Sequence, residues 1–257
     1  MLKNGIGIKC DFQHKEFLYD ESSFGPKTEK RRLDDIRKSL KNPNCNGPEV
    51  VYSIAMDIGL REDKEDLIKR NLLYGACIYS NGMIGNEPVR SQGHIHAVSK
   101  SCNFSTGELY EIWRGKAIIF MQERARDIPG RVFAVEAEVG EVVLVPPGWA
   151  HYTINANPND YMVFGAWCIR DFGFDYNEVR AHNGLSYFPI VVDGKIEFEK
   201  NSKYSECNLE IKKPRRYEEL NLDYTNSIYI QYRENKSRFD FITNPLKYTH
   251  IWEKFIP

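Results

Sequence analysis

From residue 49 onward the chain alternates short apolar runs with turn signals. The runs are Val50–Met56, Leu72–Tyr79, 108–113, 116–123, 131–138, Val142–Val145, 151–155 and Met162–Ile169. Between them stand Ser80-Asn81-Gly82, Arg114-Gly115, Pro129-Gly130, Val139-Gly140 and Asn157-Pro158-Asn159-Asp160. Many short strands at this spacing predict an antiparallel sandwich or barrel. A hairpin is predicted over 186–199, turning at Asp193-Gly194.

The flanks read differently. Residues 1–48 are polar and broken, with a helix predicted over 28–41 that puts Leu33, Ile36 and Leu40 on one side. Its basic run Lys30-Arg31-Arg32 reads as a solvated face, although such a cluster can also reach a phosphate. Beyond residue 200 the sequence turns charged and tyrosine-rich with weak alternation; 226–232 reads as a strand and 245–255 as a terminal helix. The expected organisation is an N-terminal helical or loop segment over 1–48 packing on the barrel, the barrel over 49–199 and a C-terminal extension over 200–257.

Composition narrows the partners. Lys and Arg total 35 against 36 Asp and Glu, so charge offers no reason to expect nucleic acid or an anionic membrane. No apolar run approaches the length of about 18 residues needed to cross a bilayer, and Met1 to Cys10 lacks the marks of a signal peptide. The six cysteines show no CxxC spacing and read as buried or free thiols in a reducing cytoplasm. Fifteen tyrosines and fourteen phenylalanines favour strands and a cavity lined by rings and hydroxyls.

Three of the six histidines fall in two short runs, Gly93-His94-Ile95-His96 and Pro146-Pro147-Gly148-Trp149-Ala150-His151. Between them lies Thr106-Gly107-Glu108-Leu109-Tyr110. Residues i and i+2 of a strand share a face, so His94 and His96 project together, as do Glu108 and Tyr110, while Glu111 points the other way. Three imidazoles and a carboxylate suit one divalent transition metal such as Fe, Mn, Zn or Ni. A closed sheet can bring all four to one interior point.

These runs resemble the two motifs of the cupin superfamily. The second, Gly-x5-Pro-x-Gly-x2-His-x3-Asn, is complete here as Gly140, Pro146, Gly148, His151 and Asn155. The first reads His94, His96, Glu108 and Gly115, with Pro88 where its opening glycine would fall. Eleven residues, Ala97 to Gly107, separate His96 from Glu108, more than the common motif has. Glu111 is therefore the fallback ligand. The resemblance implies a mainly β fold, the cupin double-stranded β-helix or jelly-roll barrel, with a few flanking helices. Over about residues 45–195, from Tyr74-Gly75 to Asp175-Tyr176, the chain is similar to the cupin-type phosphoglucose isomerases, first known from archaea.

That resemblance implies His94, His96, Glu108 and His151 as metal ligands. The reaction it implies interconverts glucose 6-phosphate and fructose 6-phosphate, with Glu108 as proton shuttle through a cis-enediolate; a metal-assisted hydride shift is the competing account. A carboxylate that moves a proton should sit in a dry pocket with its pKa near neutrality. Tyr110 is expected to orient it or the substrate. The family's phosphate site implies Ser91 and Gly93, with Tyr52 as a further phenol. Cys77 stands where the family has a threonine, and a thiol is a poor phosphate donor. The family's His-x-Tyr appears as Phe174-Asp175-Tyr176, so Tyr176 is kept and the histidine is absent; nearby His182 reads as a surface residue. Tyr152 and Thr153 complete a hydroxyl-rich pocket that favours a sugar. The resemblance also implies a cytoplasmic homodimer. Alternatives are an isomerase of another free or phosphorylated sugar, a cupin dioxygenase or oxalate-type enzyme, and a non-catalytic sugar-binding cupin.

Overall fold

The computed structural model describes residues 4–257. Two sheets face each other. One has six strands in the order Val142–Val145, Glu108–Arg114, Met162–Ile169, Leu72–Tyr79, Val50–Met56 and Glu29–Arg32, antiparallel throughout. The other runs Ala150–Asn155, Ala117–Gln122, Val132–Ala137 and Leu209–Lys212, the last joining in parallel. The segment leading to the histidine pair runs along the free side of Ala150–Asn155 through bridges at Arg90–Ile154 and His94–His151. The fold is mainly β, and its strands are those of a cupin barrel.

Apart from the edge strand Glu29–Arg32, the strands of the larger sheet are buried on both sides, which explains their largely apolar sequence. Parity sorts their side chains. Cys77, Tyr79, Glu108, Tyr110 and Phe164 line the interior pocket. Tyr74, Glu111, Trp113 and Trp167 take the opposite face, and the C-terminal extension covers them. There Trp167 stacks on Tyr229 with ring centroids 5.5 Å apart and packs tilted on Tyr232 at 5.1 Å. Both tyrosines are fully buried. Each such ring contributes about 1.5–3 kcal/mol by leaving water. Among the described residues no helix is long and apolar enough to cross a membrane.

The hairpin Tyr187–Val192 with Lys195–Lys200 turns at Asp193-Gly194 as expected. Two flanking elements differ from expectation. Residues 28–41 begin as the strand Glu29–Arg32, and only Leu33–Ile36 is α-helical, followed by the short 3-10 turn Arg37–Ser39. An edge strand can be wholly charged, because its outer side faces water and its ladder bonds come from Val50–Met56. Leu33, Ile36 and Leu40 are nevertheless buried as predicted. Residues 226–232 contain the helix Ile228–Glu234 in place of a strand, started by Ser227, whose Oγ accepts the Ile230 N–H. Residues 245–255 form a 3-10 turn, Pro245–Tyr248, running into the α-turn Thr249–Trp252.

Candidate metal centre

His94 and His151 face each other across a hydrogen-bonded pair, exchanging N–H···O bonds of 3.0 Å in both directions. That pairing puts both rings on one face, 4.3 Å apart. His96, two residues on from His94, brings its ring within 5.2 Å of both. Gly148, at φ +80°, turns the Pro-Pro-Gly segment into the strand that carries His151. Glu108 opens its own strand opposite Val145. One ligand atom from each of His94, His96, Glu108 and His151 lies within 4.8 Å of all the others, a cluster that could hold a metal ion.

The ring orientations bear on that fit. His96 Nδ1 lies 2.9 Å from the Thr106 carbonyl, and His151 Nδ1 lies 3.1 Å from the Trp149 carbonyl. A carbonyl accepts only, so each Nδ1 carries hydrogen and each Nε2 of a neutral ring presents a lone pair. Those Nε2 atoms stand 3.2 and 3.5 Å from Glu108 Oε2. Lone pairs facing a carboxylate at this range repel one another unless a cation lies among them. Burial would raise the Glu108 carboxyl; a hydrogen donated to it from Nε2 of His151 or His96 outweighs burial and holds the group well below the usual carboxylate range, as a cation in the same place would. Burial and the neighbouring imidazoles likewise keep His94 well below the usual histidine range, hence neutral. Its Nε2 is buried without a hydrogen-bond partner. An anion among inward-facing imidazole lone pairs is the donor set of a divalent metal. Glu108 is thus buried, but the flanking imidazoles hold its carboxyl low and not near neutrality.

Tyr110 donates its hydroxyl to Glu108 Oε2 at 2.7 Å. Glu111 does not join the cluster: on the opposite face, its Oε2 accepts from Trp113 Nε1 at 3.0 Å and its Oε1 from the Ile228 N–H at 2.9 Å. The pocket above the cluster is lined by Tyr52, Ser91, Gly93, Thr153 and Tyr176, together with Cys77 and Phe174. Ser91 Oγ accepts the Thr153 N–H at 3.1 Å, and Gly93 holds φ +90°. Phe174 packs edge-on against His94, with ring centroids 4.5 Å apart.

Tyr152 is a correction. One residue on from His151, it points to the opposite face, stacks on Phe120 at 4.8 Å and donates its hydroxyl to the Tyr187 carbonyl at 2.9 Å. It does not line the pocket. His182 is also away from it, and is buried where a surface residue was expected; its Nε2 meets Asp127 at 2.9 Å and its ring stacks on Tyr204. Several pocket residues escaped the sequence reading: Ile54, Met56, Tyr79, Phe164, Cys168 and Phe172. Parity would have found most of them, since 52, 54 and 56 share a face, as do 77 and 79, and 164 and 168.

The two-sheet barrel and the inward His/Glu set define a cupin with a candidate metal centre. A family model described as "Glucose-6-phosphate isomerase (GPI)" matches residues 35–206. The glucose-6-phosphate isomerase of Thermococcus litoralis is 29% identical over 209 residues, spanning 79% of this chain and 97% of that protein. That of Pyrococcus furiosus is 28% identical over 211 residues, spanning 79% and 99%. Among solved structures, an oxalate decarboxylase variant from Bacillus subtilis overlaps with a TM-score of 0.36 at 13% identity, over 63% of this chain and 32% of that one. The chain belongs to the glucose-6-phosphate isomerase family of cupin type.

Proposed function

We propose that the chain interconverts glucose 6-phosphate and fructose 6-phosphate through a cis-enediolate, with Glu108 moving the proton between C2 and C1. The observation that carries this reading is the fixed carboxylate. Glu108 Oε2 is held by the Tyr110 hydroxyl and faced by two imidazoles, which leaves Oε1 to take and return the proton. His94, His96, His151 and Glu108 would hold a divalent ion, which when bound would supply Lewis-acid polarisation of the sugar oxygens.

The rest falls to the pocket. Tyr110 fixes the carboxylate's position and lowers the cost of its reorganisation. Ile54, Met56, Phe164, Cys168 and Phe174 keep water from the carbanionic carbon. Tyr52, Ser91, Thr153 and Tyr176 offer hydroxyls to the sugar and its phosphate, and Gly93 lets the backbone approach closely. A cytoplasmic homodimer is part of this reading, and six free cysteines suit a reducing compartment.

The test is turnover of glucose 6-phosphate under argon with Fe, Mn, Zn or Ni restored in turn, run in deuterated water. Product formation with partial solvent deuterium at the transferred position supports the enediolate. Complete intramolecular transfer favours the hydride shift. A requirement for O₂ sinks the isomerase reading in favour of an oxygenase.

A further inference from the structure

Of the run Lys30-Arg31-Arg32, Arg31 is not a fully solvated residue. Arg31 pairs directly with Tyr52 across the two sheet-edge strands. Cross-strand partners project from the same face, so Arg31 shares the face on which Tyr52 lines the pocket. Its side chain is only 24% exposed. A second cation approaches from the other side. Arg180, on the helix Asn177–Ala181, lies 4.8 Å over the Tyr176 ring and donates from Nε to Gln92 Oε1 at 3.1 Å. Arg31, Lys38 and Arg180 together line a recess whose floor is Gln92 and Tyr176. Those two residues also line the pocket over the metal cluster, so the recess opens into its mouth.

The recess also holds acids, and they are already engaged. Asp34 accepts from Arg37 Nε at 2.6 Å, and Asp35 accepts the Arg32 N–H at 2.7 Å. Arg31 meets Glu29, whose side chain is 61% exposed on the rim. Among the described residues Arg180 has no carboxylate in ion-pair range. The pocket wall beneath offers the thiol of Cys77, a weak donor, and Ser91 Oγ already accepts one hydrogen bond.

We infer that Arg31 and Arg180 form a two-sided clamp on the phosphate of the substrate, and so set the preference for phosphorylated over free sugar. The inference rests on the isomerase reading for the identity of the ligand. Guanidinium groups match a phosphate in shape and charge, and both line the recess that adjoins the pocket through Gln92 and Tyr176.

The experiment compares Arg31→Gln, Arg180→Gln and Arg31→Lys with the parent enzyme. It reads KM and kcat for glucose 6-phosphate and, without turnover, the affinity for inorganic phosphate by calorimetry. Each glutamine variant should raise KM and weaken phosphate binding about tenfold, as loss of a charge-assisted bond does, with kcat within about threefold. Arg31→Lys should recover part of the phosphate affinity. Unchanged phosphate affinity in either glutamine variant overturns the clamp, as does a fall in kcat with KM intact. If the parent enzyme does not turn over glucose 6-phosphate, the isomerase reading fails, while the calorimetric comparison still decides the clamp.

Discussion

The backbone carbonyl of Thr106 accepts the Nδ1 hydrogen of His96 at 2.9 Å. Thr106 lies near the end of the eleven-residue segment that separates the histidine pair from Glu108. That segment leaves the site and comes back to orient a ligand. Its outer turn is tied down by Asp171, which accepts from Ser99 Oγ at 2.9 Å and from the Ser101 N–H at 3.0 Å. Its inner end is tied by Ser105, whose Oγ donates to the His96 carbonyl at 2.7 Å and accepts the Gly148 N–H at 2.9 Å. Ser105 thus links the two histidine-bearing turns. Replacing it with Ala should weaken metal binding by about tenfold, the lower end of what supporting contacts contribute. Metal titration of the apo protein checks this, and unchanged affinity would show that the turns hold themselves.

Glu108→Gln should abolish turnover while most of the metal is retained, since three imidazoles remain. His151→Ala should lose the metal outright. Metal content by elemental analysis, read beside activity, separates the two. Glu111→Gln should keep both metal and turnover; if it loses them while Glu108→Gln keeps them, the assignment of the carboxylate is reversed.

Tyr110→Phe removes the hydroxyl bonded to Glu108 and almost nothing else. A positioning role predicts a fall in kcat of about tenfold or more at constant metal content. A pH–rate profile displaced from the parent's would show that the phenol tunes the carboxylate. Unaltered kinetics would reduce Tyr110 to a packed strand residue, which its edge-on contact with Phe164 already makes it in part.

Burial pushes the Glu111 carboxyl up from 4.5 to about 7, against the opposing effect of its bonds from Ile228 and Trp113. A raised carboxyl favours its protonated form in the folded chain. Its stability contribution is therefore full below about pH 4.5 and is lost as pH rises towards about 7, by about 3 kcal/mol in all. Thermal melts of the parent should fall over that window more steeply than those of Glu111→Gln. Parallel curves would show that the carboxylate is better accommodated than its burial suggests.

Much of the barrel was legible because its strands carry apolar runs whose ends are marked by turn residues. Val50–Met56, Leu72–Tyr79, Val142–Val145 and Met162–Ile169 begin and end where the pattern placed them. The metal cluster was legible for a similar reason: parity in short strands places His94 with His96 and Glu108 with Tyr110. Tyr152 adjoins His151 in its strand, so the same parity turns its hydroxyl away from the pocket. The strand Glu29–Arg32 left no apolar trace, because an edge takes its order from a neighbour and not from its own side chains. Ile228, Tyr229, Ile230 and Tyr232 have strand-like propensity. Docking against Trp167 overrode it, with Ser227 supplying a helix start that the composition obscured.

The two-residue ladder Ile95–His96 with Phe174–Asp175 joins a ligand to the pocket wall. Ala97 extends it by donating to the Gly173 carbonyl at 2.9 Å. The backbone that aims His96 at the cluster is therefore bonded directly to the backbone that carries the Phe174 ring, so a candidate ligand and the aromatic wall of the pocket share one support.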